Sequence, residues 1–370
     1  MFLFIFLLNF FTVYLPLFLM GLFMPNYSKN TLVFGVNIPE EVAKDEKVIR
    51  LKQEYRIIHS VSFAISKLVI IYFAFKYEST RLLNMGILIF ILLFSVNYIY
   101  IHLKTKKLKE KEGWLMKKKQ VVMVSTSRNK TQKLLSMKWY LIPVFIFAFT
   151  WIFTMIMYPQ LPNEIPSKLN FNGDIVKYSS KSFLSVFGMP LTQLGMLVMF
   201  YYLSKAIGRS KITINPSKPK TSEQQNIVSN KRWIGFMIFT STIINIHFSY
   251  LQLTLLQIIK VTSVTYYLMN ILVVFAPLAA LVIIAVTTGQ SGSKISVNLE
   301  EEVNEKLIYR DDDKYWLLGS LYYNPQDPSL WIEKRYGIGW TINIGNPIGK
   351  LLGGATIVLL VIAVIATVFL

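Results

Sequence analysis

Two adjoining stretches of the chain carry the signals that define its class. Residues 82–102 are LLNMGILIFILLFSVNYIYIH, with no Asp, Glu, Lys or Arg, and residues 103–119 are LKTKKLKEKEGWLMKKK, with eight lysines. A helix needs about 20 consecutive apolar residues to cross the hydrocarbon core of a bilayer. Lysine and arginine are enriched in loops on the cytoplasmic side of membranes. The pair therefore predicts a transmembrane helix whose C-terminal end lies at the cytoplasmic face.

The same alternation of uncharged runs and basic loops extends over the whole chain. Apolar residues make up 53% of the 370 residues and charged residues 16%, against about 25% charged residues in soluble proteins. This composition excludes a secreted domain, a soluble enzyme and a disordered scaffold. The hydropathy pattern predicts eight spans, at residues 2–24, 57–75, 82–102, 139–157, 183–204, 233–253, 266–287 and 352–370. Because the first span lacks a basic leader and a cleavage site, we expect it to be retained.

Lys and Arg are distributed unequally between the loops. Of the 39 basic residues, 32 lie in the loops at 25–56, 103–138, 205–232 and 288–351, six lie in the alternate loops, and Lys67 lies within a span. The positive-inside rule predicts this alternation for eight spans. We therefore predict a multi-pass protein of the cell membrane with both termini outside. Its basic loops should contact anionic lipid headgroups at the cytoplasmic side.

The predicted fold class is an all-α polytopic membrane protein of about eight transmembrane helices, with a small β-rich cytoplasmic element before the last helix. The polar stretch 214–230 contains Pro216 and Pro219, which favour a flexible linker. The predicted segments are four spans with two basic cytoplasmic loops (1–157), a rigid external loop (158–182), three spans with a polar cytoplasmic linker (183–287), an acidic and then aromatic cytoplasmic element (288–351) and a final span (352–370).

Residue types that carry most enzyme, metal and cofactor chemistry are scarce. The chain has no cysteine, and His59, His102 and His247 show no ligand-like spacing, so we expect neither a metal site nor a cofactor. Phosphate-binding, zinc-protease and serine-hydrolase motifs are absent, so we expect no enzymatic activity. The lysine cluster at 104–119 includes Trp114 as its one aromatic residue. Direct nucleic-acid binding, which favours interleaved aromatics, is therefore not expected.

The external loop at 158–182 has a composition that restricts its shape. Its three prolines fix φ and keep the preceding residues extended, and Asn172, Gly173 and Asp174 form a turn signal. The loop is either a cap packed on the helices or a recognition surface for something that arrives from outside. The candidate recognition residues are Pro162, Pro166, Lys168, Asn170, Gly173, Asp174 and Lys181.

Polar residues recur at helical spacing inside two spans, with His59, Ser66 and Lys67 in the second and Asn245 and Gln252 in the sixth. A lysine in the middle of the membrane costs about 3 kcal/mol unless it finds a partner or water. Two interpretations remain open: hydrogen bonds between helices, or a polar cavity that accepts an anionic or peptide group. The lack of carboxylates within the spans argues against a proton- or sodium-driven transporter.

The last cytoplasmic loop is aromatic and β-prone. Runs at 316–323 and 330–335 are joined by Asn-Pro-Gln-Asp-Pro, and a third run follows at 340–344, so we predict a two- or three-stranded element. Trp316 and Tyr322 are expected at the headgroup interface with the other aromatic residues. The element serves either packing or the docking of a cytoplasmic partner. The candidate residues are Trp316, Tyr323, Asn324, Pro325, Asp327, Trp331, Gly339 and Trp340.

Two charge clusters complete the sequence. Acidic residues at 300–302, 305 and 311–313 lack the alternate spacing of a calcium-binding loop, so we expect them to form a solvated face. The lysines within 104–119 are expected to fix topology and to bind lipid, because each lysine near an anionic leaflet contributes about 1 kcal/mol of attraction.

The external loop resembles the signature of an uncharacterised family of bacterial membrane proteins. That signature is written roughly LPxxIPxHxNxxGxxDxxxSK, and it matches here at Leu161, Pro162, Ile165, Pro166, Asn170, Gly173, Asp174, Ser180 and Lys181. Lys168 occupies the place of the histidine, so no role for that histidine is carried over. The family includes the immunity and signalling protein of a sporulation-delaying toxin system.

Two further segments resemble parts of uncharacterised families. Residues 315–347, which include YYNPQDP and GIGWTIN, are similar to a second domain family, and residues 34–41 with Tyr55 resemble the segment that follows the first span in such proteins. The resemblance implies envelope defence or signalling, with an immunity-like response to a membrane-active toxin or envelope perturbation and a cytoplasmic regulator or membrane partner. A transport or lipid-handling protein and a non-catalytic subunit of a membrane complex remain alternatives.

Overall fold

A computed structural model describes residues 2–114, 119–121, 135–170, 173–259, 262–297, 299, 307–309 and 311–369. Among the residues singled out above, Lys117, Lys118, Asn172 and the acidic residues 300–302 and 305 lie outside the described residues. The chain divides into two compact units. Unit 1 comprises Met1–Lys130, Ser210–Val228 and Ala285–Leu370, and unit 2 comprises Thr131–Arg209 and Ser229–Ile284.

Seven helices among the described residues are long and apolar enough to cross a membrane. They are α1 (Phe2–Tyr27), α2 (Glu46–Lys76), α3 (Thr80–Glu112), α4 (Met137–Gln160, with a 3-10 turn at each end), α5 (Phe183–Arg209), α6 (Pro219–Leu255) and α7 (Ser263–Thr288). An eighth helix, α8 (Pro347–Phe369), has a shorter apolar stretch at Pro347–Ile362. The predicted all-α polytopic membrane fold is confirmed.

The helices carry apolar side chains on the outside and polar side chains inside. Leu68, Leu92 and Phe145 are 72%, 64% and 69% exposed, whereas Thr150 and Gln193 are buried. Large exposed apolar side chains would be unfavourable in water, but lipid solvates them. Polar side chains find hydrogen-bonding partners between helices. This distribution is typical of helices that lie in a membrane.

The prediction of a flexible linker at 214–230 is wrong, because α6 begins at Pro219. Proline suits the first position of a helix, since its φ is already helical and the missing N–H would have no partner there. Ser222 holds this start: its hydroxyl accepts from Asn215 N at 2.9 Å and donates to Pro219 O at 3.1 Å. The segment is polar although it begins a long helix, and its buried side chains include Ser222, Asn226, Ser229 and Asn230.

Two glycines allow the helices of unit 1 to approach closely. A Cβ on Gly21 of α1 would lie 2.6 Å from the His59 ring on α2, and one on Gly86 of α3 would lie 2.7 Å from Ile70 Cγ2 on α2. Small residues permit such contacts in membrane helices. Next to these helices a buried apolar cluster joins the segment after α1 to α2 and α3. It consists of Val33, Phe34, Val36, Ile38, Val48, Leu51, Tyr55, Tyr98 and Ile101.

Within the described residues the strands form five two-stranded pairs. Antiparallel pairs are β1 (Leu32–Val33) with β2 (Val36–Asn37), β4 (Glu164–Leu169) with β5 (Ile175–Ser180), β7 (Trp316–Leu317) with β8 (Leu321–Tyr322), and β9 (Trp331–Glu333) with β10 (Trp340–Ile342). A parallel pair joins β3 (Lys119–Val121) to β6 (Leu307–Tyr309). The pairs β7–β8 and β9–β10 lie directly before α8, which confirms the predicted small strand element.

The run 316–323 is a hairpin of its own and not the single strand that was expected. Leu318 and Gly319 have φ of +49° and +69°, and this reversal brings Trp316 opposite Tyr322. Trp316 and Tyr322 are buried against Ile332. The expectation that these two aromatic residues lie at the headgroup interface is therefore wrong, because they form the core of the element.

Candidate functional site

Unit 1 contains a polar cavity of about 630 Å³. Four stretches of the chain line it: residues 29–44 after α1, residues 211–226 at the start of α6, residues 291 and 293 after α7, and residues 312–335 of the β7–β10 element. The resemblance to uncharacterised families singled out segments of the first and last of these stretches. The fold brings them together around one cavity, which is the candidate site of unit 1.

Arg335 anchors the wall of the cavity. It is 5% exposed, pairs with Asp312 and Asp313, and donates to Gly35 O at 3.0 Å. The planar guanidinium presents several donors at once, so it can bind two carboxylates and a carbonyl together. Burial alone would lower the pKa of Arg335, but the two carboxylates raise it further above its usual range. Arg335 therefore holds the β1–β2 turn and the β9–β10 pair together as a permanent cation.

Lys109 extends this network to the C-terminal end of α3. Its ammonium lies 2.5 Å from Asp313 and 2.8 Å from Asp311. Burial alone would raise the pKa of Asp313, but the charges of Arg335 and Lys109 hold it below its ordinary value. The expectation that 311–313 forms a solvated face is wrong, because these carboxylates neutralise two buried cations.

Two further ion pairs stabilise the wall. Lys29 contacts Glu333 at 2.8 Å, and Lys211 contacts Asp327 at 2.7 Å. The Tyr322 hydroxyl also donates to Asp327, at 3.0 Å. Burial would raise the pKa of Asp327, but the hydrogen bond from Lys211 contributes to holding it below its usual range. Asp327, a predicted site residue, thus anchors the residues before α6 to the β7–β10 element.

The cavity also contains ammonium groups that take no part in these ion pairs. Among the described residues, the ammonium groups of Lys44 and Lys334 have no acidic partner. Lys218 has a long contact of 3.4 Å with Glu40. Amide and hydroxyl side chains from residues 213–226 line the same space. The lining also includes the carboxylates of Glu40 and Glu41, and it therefore suits a polar, charged ligand.

Asn343, the last residue of the GIGWTIN segment, is central to the element but was not among the candidate residues. It is fully buried, and its Nδ2 donates to Asn324 O and Asp327 O, each at 2.9 Å. Its Oδ1 accepts from Asn324 N at 3.1 Å and Gly345 N at 2.9 Å. One side chain thus fixes the Asn-Pro-Gln-Asp-Pro turn. The position at the end of a short strand gave no sign of this role.

The other predicted residues of the element have varied surroundings. Trp316 donates through Nε1 to Asp312 at 3.3 Å, whereas Tyr323 is exposed. Trp331 and Trp340 are half-buried on the paired strands, and Gly339 has a φ of +105° that favours glycine. Asn324 and Pro325 lie in the turn that Asn343 fixes. Most of the predicted residues therefore support the wall of the cavity, and fewer of them line it.

Three tyrosines join this wall to the helices. The Tyr336 hydroxyl donates to Tyr55 on α2 at 3.0 Å, and its ring stacks on Tyr98 of α3 with centroids 4.2 Å apart. Tyr55 in turn donates to Gly21 O on α1 at 3.1 Å. Tyr55, which the resemblance had picked out, is therefore the link between the β9–β10 turn and the first helices.

In unit 2, the predicted rigid loop is the hairpin β4–β5. Asn170 Nδ2 donates to the Asp174 carboxylate at 3.0 Å, and Asp174 N donates to Asn170 Oδ1 at 2.8 Å. Gly173 between them has a φ of +88°. At the base, Lys181 donates to Leu161 O at 2.9 Å. Pro162, which is exposed, belongs to this base, and Pro166, which is buried, belongs to the first strand. These signature residues hold the hairpin in shape.

The outer strand of the hairpin presents an unusual surface. Ile175, Val176 and Tyr178 on β5 are 37%, 59% and 50% exposed. Lys168, which replaces the histidine of the family signature, is also exposed and lies opposite Lys177. By contrast, Ile165 of β4 is buried in a cluster with residues of α5. The hairpin is therefore anchored through β4 and displays apolar and cationic side chains on β5.

The polar residues of the second predicted span are sealed within unit 1. Lys67 is 5% exposed, lies 3.3 Å from the Tyr14 ring centroid and donates to Gly86 O at 3.5 Å. His59 Nε2 lies 3.2 Å from Phe18 O, and Ser66 bonds within its own helix. This arrangement corresponds to hydrogen bonding between helices and not to an open cavity at Lys67.

The polar residues of the sixth predicted span lie within unit 2. Gln252 donates to Val186 O on α5 at 2.9 Å and to the Thr154 hydroxyl on α4 at 3.2 Å. Asn245 is fully buried beside Gln193 of α5, whose Nε2 donates to Asn245 O at 3.2 Å. The residues that were predicted to form one intramembrane polar face therefore form two separate polar groups, one in each unit.

Two segments match described families. Residues 145–194 match the Domain of unknown function (DUF1648), and residues 325–350 match the Family of unknown function (DUF5808). The first covers the β4–β5 hairpin, and the second covers the β9–β10 pair and Asn343. The matches support the resemblance to uncharacterised families, whereas the likeness to a toxin-immunity protein stays a prediction. Comparisons with curated proteins and with solved structures find no match.

Proposed function

We propose that this integral membrane protein acts in envelope defence or signalling without catalysing a reaction. In this proposal the β4–β5 hairpin recognises a membrane-active peptide from outside the cell. The observation that carries the proposal is the contrast between the two strands. Signature residues hold the turn and the base of the hairpin, while β5 displays large apolar side chains.

The surface of β5 fits an amphipathic peptide. Val176 and Tyr178 offer apolar contact area, and Lys168 and Lys177 offer positive charge on the same hairpin. Contiguous exposed apolar side chains with a polar rim mark binding sites in many proteins. Among the described strands β5 pairs with β4 alone, so its outer edge can receive an extended peptide by main-chain hydrogen bonding.

We place the basic loops at the cytoplasmic face of the cell membrane, as the positive-inside rule predicts, with both termini outside. The cavity of unit 1 then opens toward the cytoplasm. Lys44 and Lys334, which have no acidic partner among the described residues, fit an acidic segment of a cytoplasmic regulator. The exposed lysines of the same loops contact anionic headgroups. Release or capture of the regulator would then signal to the cytoplasm that a peptide has bound outside the cell.

The recognition step is tested by challenging cells with a panel of membrane-active peptides. Deletion of the gene should raise sensitivity to at least one peptide, and the intact gene should restore protection. Val176→Asp and Tyr178→Asp should abolish that protection, because they place charge on the apolar face. Glu164→Gln, an exposed change on the same hairpin, should keep it at equal membrane abundance. Unchanged sensitivity and transcription in the deletion strain across a broad panel would contradict the proposal.

The docking step is tested by purification after gentle solubilisation. A stoichiometric partner should co-purify with the intact protein and be lost when Lys44 and Lys334 are both changed to Glu. Lys350→Glu, an exposed charge reversal outside the cavity lining, should leave the partner bound. Equal recovery from all three proteins would argue against the cavity as the docking site. If cells stay protected although no partner co-purifies, the hairpin alone is sufficient for protection.

A further inference from the structure

Three cations of unit 1 lie close together outside the polar cavity. Lys52 and Arg56 lie one turn apart on the same side of α2, and Lys294 lies in the segment that follows α7. The charges of Arg56 and Lys294 both repel the ammonium of Lys52, so the three groups are near neighbours. None of them lines the polar cavity. They form a separate group, the cationic cluster (Lys52, Arg56 and Lys294).

Hydrogen bonds hold the segments that carry the cationic cluster next to one another. Arg56 Nη2 donates to Asn26 Oδ1, at the end of α1, at 2.5 Å. Three residues after Asn26, Lys29 N donates at 2.9 Å to Oε1 of Gln290, which lies four residues before Lys294. The end of α1 therefore contacts both α2 and the segment that carries Lys294.

No carboxylate balances the cationic cluster within the part of the chain that the structure describes. Ion pairs there include none of its three members. Glu54 on the same helix pairs with Lys104 at 2.6 Å, and Glu333 of the cavity wall pairs with Lys29 at 2.8 Å. Arg56 Nε is buried without a described hydrogen-bond partner. Because partly buried charges of one sign are unfavourable without an opposite charge, the cluster favours a bound anion.

The cationic cluster lies where the polar surface of the helices gives way to the apolar one. Asn26, Arg56 and Lys294 each lie a few residues outside a predicted span. Ile57, directly after Arg56, is 64% exposed, and Phe23, one turn before Asn26, is 42% exposed. Such apolar side chains are solvated by lipid tails, while Lys and Arg at the ends of spans reach the headgroup layer. An anion that meets the cluster there lies beside acyl chains.

We propose that Lys52, Arg56 and Lys294 bind the phosphate of an anionic phospholipid whose acyl chains lie along the exposed apolar side chains of α1 and α2. Guanidinium and ammonium groups bind phosphate well, the first as a fork of donors and the second as a point charge. A headgroup that carries its own ammonium is disfavoured, because the three cations repel it. The lipid is therefore one with a net negative charge, such as phosphatidylglycerol, and not a zwitterionic one.

This site differs from the general attraction of exposed lysines to anionic headgroups. Lys52 and Arg56 are half-buried, and Lys294 comes from a distant part of the chain. The bound lipid thus links α2 to the segment after α7 through one phosphate. The inference does not rest on the proposed function, because it needs neither a peptide at the hairpin nor a partner in the cavity.

Lipid titrations of the purified full-length protein in a neutral detergent test the site, with binding followed by the rise in Tm. Phosphatidylglycerol should raise Tm, and phosphatidylcholine should not. The double variant Lys52→Gln/Arg56→Gln should bind phosphatidylglycerol about 25-fold more weakly, since each cation near an anionic headgroup contributes about fivefold. The matched control Lys47→Gln/Arg50→Gln removes two charges from the same helix. Both of these cations already pair with glutamates, so the control should bind phosphatidylglycerol nearly as the parent does.

Three results of these titrations would overturn the proposal. Equal Tm shifts from the two lipids would show that the phosphate is not selected with its net charge. Equal losses of affinity in the two double variants would indicate general attraction to a negative surface. Sodium phosphate that raises Tm as much as phosphatidylglycerol, at equal ionic strength, would identify a free phosphate as the ligand. If the double variant does not fold, Lys294→Gln, a change at an exposed side chain, gives the decision: an affinity about fivefold weaker supports the site, and an unchanged affinity opposes it.

Discussion

Pro190 and Gln252 form a pair whose energetic coupling can be measured. Pro190 lies inside α5 and has no N–H, so the carbonyl of Val186 one turn earlier loses its helical partner. Gln252 of α6, which is 2% exposed, donates to this carbonyl at 2.9 Å. A side chain from one helix thus replaces the missing backbone donor of another.

Gln252→Leu should destabilise unit 2 by about 2 kcal/mol. It leaves Val186 O unsatisfied in the interior, at about 1–3 kcal/mol, and removes a neutral hydrogen bond to Thr154 worth about 1 kcal/mol, while the leucine regains part through apolar contact. In a Pro190→Ala background, the restored N–H can donate to Val186 O. The same change should then cost about 1 kcal/mol or less, which gives a coupling of about 1–2 kcal/mol.

The measurement is a double-mutant cycle on the detergent-solubilised protein, with the free energy of unfolding determined for the parent, both single variants and the double variant. Pro277→Ala in α7, combined with Gln252→Leu, is the matched control, because Pro277 lies in a different helix. The control pair should be additive within about 0.5 kcal/mol. Equal coupling in the two cycles would refute the assignment of Gln252 as the donor that replaces the missing N–H.

Three further predictions concern unit 1. Arg335→Met leaves carboxylates buried without their partner and should destabilise unit 1 by about 3–5 kcal/mol in thermal unfolding experiments. Arg335→Lys should destabilise it less. The control Lys350→Met, an exposed change, should lower the stability by less than about 0.5 kcal/mol. Because the folded pKa of Asp313 lies below its unfolded value, its contribution should be constant above about pH 4 and lost as pH falls through the folded pKa. Melting curves from about pH 2 to 6 should show this loss, and Asp313→Asn should reduce it. Gly21→Ala places Cβ 2.6 Å from an imidazole of α2 and should cost about 1–3 kcal/mol. The control Gly188→Ala lies in unit 2, and no described atom lies within 4 Å of its added Cβ, so this variant should unfold at nearly the parent temperature.

Parts of the site followed from local sequence because their physics is local. Asn170, Gly173 and Asp174 form the hairpin turn, since the side chains bond to backbone groups a few residues away and glycine permits the positive φ. The β-prone runs before α8 gave the small strand element for a similar reason. Even there, the reversal at Leu318 and Gly319 was missed, because a turn inside an aromatic run has no strong composition signal.

Other parts depended on partners that lie far away in the chain. Arg335 meets Gly35 across 300 positions, and Lys109 meets Asp313 across 204. A sequence shows each of these residues as a charge that would normally face water. Burial of Trp316 and Tyr322 was hidden in the same way, since amphipathic aromatic residues suit both a membrane interface and a core.

The sequence by itself determined that this chain is an all-α polytopic membrane protein. In lipid every backbone polar group needs a partner within the protein, so an apolar run of about 20 residues has essentially one stable conformation, the α-helix. The hydropathy of the sequence identifies such runs. Tertiary structure alone decided which polar and charged side chains meet: the cavity wall around Arg335, the donor that Gln252 supplies to α5, and the hydrogen bond from Gln193 to the Asn245 carbonyl. Those outcomes depend on distances between helices and loops, which residue order does not encode locally.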